Sequence, residues 1–209
     1  LGIFRKEQLS LIKGSGVDLE AYPPTALPSQ MPRLVLLPAR MLWDKGVGEF
    51  VAAASLLKSR WGSQVRFVLA GEADTANRAG IEERQLLEWN NEKMVEWVGF
   101  QSNMPAWYQN SYIVVLPSYR EGLPKSLIEA CASGRPVVTT DVPGCREVVE
   151  HGKNGYLVPP KNVQMLAQRI AEILEAPALA AQMGVAARKK AEREFSIQSV
   201  IEQTFALYE

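Results

Sequence analysis

Five short apolar runs, each followed by a longer stretch with helical spacing, narrow the architecture of this chain more than any other property of its sequence. The runs are "RLVLLPA" (33–39), "VRFVLAG" (65–71), "VEWVGF" (95–100), "YIVVLPS" (112–118) and "PVVTT" (136–140). Between them lie "GVGEFVAAASLLKSRWG", "NRAGIEERQLLEWNNE", the shorter "MPAWYQNS" and "LPKSLIEACASG". Strands that are apolar almost without interruption are buried on both faces, as in a parallel sheet covered by crossover helices. The expected fold is therefore α/β, a Rossmann-like doubly wound parallel sheet. "GYLVPP" offers one more strand, and three consecutive helices are expected from Asn162 to the end of the chain.

With 209 residues the chain fits one large domain with a real core. Its 23 Lys and Arg balance 23 Asp and Glu. A nucleic-acid partner held by the overall field is thereby excluded, whereas a local anion pocket is not. The basic cluster Arg188 to Arg193 reads as a solvated helix face, with membrane or partner contact as the alternative. Two cysteines and one histidine make neither a disulfide framework nor a zinc site, and a reducing cytoplasm is the expected compartment. No apolar run has the ~20 residues needed to span a bilayer. "YPPTALPSQMP" reads as a linker or surface loop that ends a lead-in over 1–32, and the start at Leu1 rather than Met leads us to expect a fragment.

Ligands of such sheets bind beyond the carboxyl ends of the strands, so the residues following each strand are the candidates. After the first strand stand Arg40 and Lys45-Gly46, two cations that can clamp a diphosphate or pair with carboxylates such as Asp44. Gly71 after the second strand and Gly99, Phe100 and Gln101 after the third are weaker signals, each equally an ordinary turn. After the fourth, Pro124 suits a first helical turn, while Leu123 and Gly122 lack capping side chains. The N–H groups around Gly122, Leu123, Lys125 and Ser126 then form an anion site, unless Ser126 caps part of it. Glu121 lies just before this helix and Glu129 inside it. Eight residues along one helix would separate them by ~12 Å, so they bracket the anion site rather than meet. Carboxylates on either side of a diphosphate suit two sugars, a ribose at Glu129 and a donor sugar at Glu121. Pro143-Gly144 is expected to turn into a short helix, and Asn154-Gly155 to make a hairpin-type or left-handed turn. His151 is assigned a surface or structural role.

The ordered set "GSGVD" (14–18), Arg40…Lys45-Gly46, "VGF" (98–100), "PSYREGLPKSLIEACASGRPVV" (117–138), "PGCREVV" (143–149) and "NGYLV" (154–158) resembles the C-terminal, donor-binding domain of retaining GT-B glycosyltransferases of the family 4 type. The resemblance spans nearly the whole chain. Ala39, where the family often has glycine, and Ser15, where asparagine is frequent, depart from it. The resemblance implies metal-independent transfer, with no cofactor, from a nucleotide-diphospho-sugar, a UDP-sugar being favoured, with retained configuration. It implies Arg40, Lys45, Gly122 and Leu123 as the diphosphate site and Glu129 as the ribose carboxylate. Glu121 would be the catalytic residue at the donor sugar, and the backbone of Gly99, Phe100 and Gln101 would frame the base. The whole chain would be one donor domain whose last helix (196–209) crosses to an absent N-terminal domain. That missing half would bring a glycan or lipid-linked acceptor, in bacterial polysaccharide or lipopolysaccharide synthesis at the inner face of a membrane, with peripheral association. An epimerase or phosphorylase on the same plan, or a non-catalytic nucleotide-sugar-binding module, remains as an alternative. A dinucleotide-dependent oxidoreductase is disfavoured, because no Gly-x-Gly-x-x-Gly follows the first strand.

Overall fold

The computed structural model describes residues 16–206. The first two residues of the "GSGVD" motif and the last three of the C-terminal helix segment lie outside that range. Six strands form one sheet: β1 (Arg33–Pro38), β2 (Val65–Ala70), β3 (Glu96–Trp97), β4 (Ser111–Leu116), β5 (Val137–Thr140) and β6 (Gly155–Val158). Their spatial order is β3-β2-β1-β4-β5-β6, and all five pairings are parallel. The fold is α/β with a Rossmann-like doubly wound sheet.

Alternation along each strand splits the core in two. Val35 and Leu37 of β1 face one cluster, with Val47, Phe50 and Val51 of α1 (Val47–Trp61) and Leu166 and Ile170 of α6 (Val163–Glu175). Leu34 and Leu36 face the other, with Leu127 and Cys131 of α4 (Lys125–Ala132) and Ala187 and Ala191 of α7 (Pro177–Glu194). This is the period of two expected of a pleated strand buried on both faces. The remaining helices are α2 (Glu83–Asn91), α3 (Met104–Asn110), α5 (Pro143–Val148) and α8 (Ile197–Phe205). Among the described residues no single helix is long and apolar enough to cross a membrane.

Several expectations need correction. The helix foreseen over 77–92 begins only at Glu83, because the stretch before it is pulled into an extended path. The N–H of Ile81 donates to Met41 O and that of Trp43 to Ala79 O, and Gly80 bridges Leu42. Pro124 lies one position before α4, with extended ψ of 106°, rather than in its first turn. Asn154-Gly155 makes no hairpin. Gly155 opens β6, and the buried Asn154 amide instead donates to Val148 O and accepts from Glu150 N. Nor is the 188–193 cluster a simple solvated face. Arg188 donates to the carbonyls of Tyr22 (2.9 Å) and Ala132 (2.7 Å), and Lys190 is buried against Glu150 and Glu194.

The Pro-rich linker is anchored rather than loose. Arg135 is fully buried; its guanidinium donates to Ser111 O at 3.1 Å, to Ser133 O and to Thr25. Burial lowers its pKa to about 10, yet the bonds to fixed carbonyls compensate the desolvation. His151 is exposed, and its Nδ1 accepts from the Leu157 N–H at 3.1 Å, a structural role.

Candidate functional site

In a doubly wound sheet the strand order reverses at one point, and the loops leaving the strands there diverge to open a crevice. Here that point lies between β1 and β4. The loop after β1 carries Arg40 and Lys45; the loop after β4 carries Glu121.

These two loops are stitched together. The Tyr119 N–H donates to Asp44 O at 2.8 Å, and Ser118 Oγ donates to the same oxygen at 3.1 Å. Gly46 turns the chain into α1 with φ of 74°, and a side chain there would stand 2.1 Å from Pro117 O. Only glycine allows both the left-handed conformation and that approach. The consequence is a contact that no local pattern announces: Lys45 Nζ donates to Glu121 Oε1 at 2.7 Å across 76 positions of sequence. Both side chains are largely shielded, 24% and 10% exposed. Arg40 takes a different partner. Its guanidinium reaches Asp74 Oδ2 at 2.9 Å and remains 57% exposed, at the rim rather than against Glu121.

Beside the pair is the start of α4. No side chain caps it, and Leu127 and Ile128 are the first amides to bond back, both to Pro124 O. Among the described residues, the N–H groups of Gly122, Leu123, Lys125 and Ser126 donate to no protein acceptor, so Ser126 does not fill the site. Their direction is set by α5. A side chain on Gly144 would lie 2.2 Å from Gly122 O and 2.5 Å from Glu121 O, so these carbonyls face α5. Across a planar trans peptide the N–H points opposite to the carbonyl, which turns the Gly122 and Leu123 amides away from α5. The helix dipole adds positive potential at the same place. The arrangement can hold an anion that bears several oxygens.

Glu129, the fifth residue of α4, emerges just over one turn into the helix with its side chain only 12% exposed. Tyr108 of α3 donates its hydroxyl to Glu129 Oε2 at 3.0 Å, and Tyr22 from the linker lies close enough to feel the charge of this carboxylate. Burial, followed by Glu129, pushes both phenols above their ordinary range. The two rings pack edge to face at 5.8 Å. Lys125 Nζ stands 3.9 Å from the same carboxylate.

Of the expected base-framing residues, Gly99 has φ of 67°, accepts from the Gly71 N–H at 2.8 Å and has open space where a side chain would project. Phe100 is 71% exposed. The Gln101 side chain is committed inward, accepting from the Trp107 indole at 3.0 Å and donating to Val98 O at 2.6 Å. Only its backbone is free to face a ligand.

Sequence reasoning missed Tyr22, Tyr108, Asp74 and the packing role of Gly144. A glycine inside a helical turn is a costly choice and is a readable sign of close backbone approach. The tyrosines carry no such sign.

The family described as glycosyl transferases group 1 matches residues 20–190. Among curated relatives, the N,N'-diacetylbacillosaminyl-diphospho-undecaprenol alpha-1,3-N-acetylgalactosaminyltransferase of Campylobacter jejuni is 33% identical over 82% of this chain and 46% of its own length. CapM, a capsular polysaccharide biosynthesis glycosyltransferase of Staphylococcus aureus, is 29% identical over 81% and 44%. The chain thus spans about half the length of these relatives. Sucrose-phosphate synthase from Thermosynechococcus elongatus superposes with a TM-score of 0.81 at 29% identity, over 94% of this chain and 51% of that one. Anabaena Alr3699/HepE in complex with UDP does so with 0.81 at 25%, over 92% and 55%. The six-stranded sheet with its helices is the C-terminal half of a GT-B fold. The chain belongs to the glycosyl transferases group 1 family.

Proposed function

We propose that this chain is the donor-binding half of a retaining, metal-independent hexosyltransferase that uses a nucleotide-diphospho-sugar, with a UDP-sugar favoured. The observation that carries the reading is the meeting of Lys45 and Glu121 at the switch point, next to the uncapped start of α4. In this reading the two phosphates lie over the amides of Gly122, Leu123, Lys125 and Ser126. Lys45 leaves Glu121 for a phosphate oxygen, and Glu121, released from its partner, accepts hydrogen bonds from hydroxyls of the donor sugar. Arg40 swings from Asp74 at the rim toward the diphosphate. Glu129 takes the ribose hydroxyls, and the backbone of Gly99 to Gln101 frames the base. The complex of Alr3699/HepE with UDP supports the choice of base.

Charge balance follows from these positions. As the bond from the anomeric carbon to the diphosphate oxygen breaks, the electron pair stays on the diphosphate. The Lys45 ammonium and the α4 amides stabilise it there. A well-placed donor of this kind contributes ~3–4 kcal/mol to the transition state. The acceptor hydroxyl approaches the same face of the sugar and passes its proton to the leaving phosphate, which retains configuration. The acceptor, a glycan or lipid-linked sugar of bacterial surface polysaccharide synthesis, is brought by an N-terminal domain. Peripheral association of the whole protein with the cytoplasmic face of a membrane completes the proposal. The chain alone is expected to bind donor and transfer slowly or not at all.

The test is a calorimetric titration of the chain with UDP, GDP and ADP and their sugars. One base should be preferred at least tenfold, a difference of ~1.4 kcal/mol. Failure of all of them to bind, or robust transfer by this chain alone, would contradict the proposal.

A further inference from the structure

We infer that Tyr22 and Tyr108 are positioning residues that orient Glu129 and so set the preference of the site for ribose over 2′-deoxyribose. The inference rests on the reading of Glu129 as the ribose carboxylate and goes one layer beyond it. An ionised carboxylate offers about four lone-pair directions. Tyr108 occupies one of them at 3.0 Å on Oε2, and Tyr22, packed edge to face on the Tyr108 ring, stands beside the same carboxylate. The directions that the Tyr108 hydroxyl does not take are the ones open to a ribose 2′,3′-diol.

The phenols also remove the rotational freedom of a side chain that would otherwise swing about three bonds. Tyr108 is fully buried and fixed in α3, so its hydroxyl is a rigid reference point. Tyr22 is held differently. Arg188 of α7 donates at once to Tyr22 O and to Ala132 O, the last residue of α4. One guanidinium thereby registers the linker against the helix that carries Glu129. Arg135 pins the same linker three residues later through Thr25. The edge-to-face contact of the two rings at 5.8 Å completes the brace. A carboxylate held by a charge-assisted bond from a buried phenol and walled by a second ring is preorganised for its ligand, and preorganisation is paid for in folding rather than in binding.

Binding of UDP, GDP and ADP, each beside its 2′-deoxy counterpart, should be measured by calorimetry on the chain and on Tyr22→Phe, Tyr108→Phe and Glu129→Gln. Both phenylalanine variants keep the ring packing. The unaltered chain should favour the ribonucleotide about tenfold for the base it accepts. Each phenylalanine variant should shrink that ratio to about threefold, chiefly by weakening the ribonucleotide, and Glu129→Gln should abolish it. A merely structural tyrosine would weaken both sugars alike and leave the ratio intact. If Glu129→Gln abolishes the preference while both phenylalanine variants keep it at tenfold, the positioning role is wrong and the ribose reading stands. If Glu129→Gln leaves the preference intact, or no pair of nucleotides binds or is distinguished, the ribose reading itself falls and this inference with it.

Discussion

Removing the charge of Glu121 should strengthen the binding of a free nucleoside diphosphate while it damages the handling of the nucleotide sugar. In the unliganded chain Glu121 holds Lys45 at 2.7 Å in a site where neither side chain is more than a quarter exposed. A hydrogen bond to a charged group is worth ~1.5–3 kcal/mol net. A diphosphate that recruits Lys45 must first break this bond, so it recovers only the difference between two comparable interactions. Glu121→Gln keeps the shape, removes the competing charge and should tighten UDP by up to about tenfold. Lys45→Ala removes the cation altogether and should weaken UDP by about ten- to a hundredfold. In the double variant Glu121→Gln should have no further effect, because there is no lysine left to compete for. Calorimetry at low and moderate salt reads all four affinities, and the Lys45-dependent part should shrink with salt. If Glu121→Gln weakens free UDP as strongly as Lys45→Ala does, the exchange of partners is wrong.

Other outcomes follow from the packing. Gly144→Ala drives a methyl to 2.2 Å from Gly122 O, and overpacking of this kind costs ~1–3 kcal/mol. It should lower Tm and, because the displaced peptide carries the anion-facing amides, weaken UDP beyond the loss of stability, which paired thermal and calorimetric scans resolve. Arg135→Ala leaves the carbonyls of Ser111 and Ser133 and the Thr25 hydroxyl without their donor in the interior; an unsatisfied buried group costs ~1–3 kcal/mol, and a loss of at least that size should appear in denaturant titrations. Hydrogen bonds from Lys153 and then Lys190 hold the Glu150 carboxyl below its ordinary 4.5, and Arg146 holds that of Asp141 below 3.8. A folded-state pKa below the unfolded one contributes stability above about pH 4.5 that is lost as pH falls through it, so Tm should decline from there downward.

The sheet was legible because each strand is an apolar run closed by glycine, proline or a charged loop, and burial on both faces leaves no ambiguity of period. β3 shrank from "VEWVGF" to Glu96–Trp97 because only Val68↔Glu96 and Leu69↔Trp97 pair at that sheet edge. The start of α2 was misread because pairing of residues 79–81 with 41–43 outweighs the helical spacing of "NRAGIEE", a tertiary effect that no local window contains. At the site, the individual groups Lys45, Glu121, Glu129 and the bare helix start could be nominated from their places after strands. Their mutual contacts could not. The Lys45–Glu121 pair depends on two loops 76 residues apart being clamped by Asp44 O and Gly46, and the approach of Tyr22 to Tyr108 and Glu129 depends on Arg188 holding a segment that its composition marks only as a linker or surface loop.

The most direct measurement is a crystal structure of the chain with UDP. The account predicts phosphate oxygens within hydrogen-bond reach of the Gly122, Leu123, Lys125 and Ser126 amides and of Lys45 Nζ, the ribose diol on Glu129, and the contact between Lys45 and Glu121 broken. A nucleotide seated elsewhere, or one bound here with the 2.7 Å pair still closed, would contradict it.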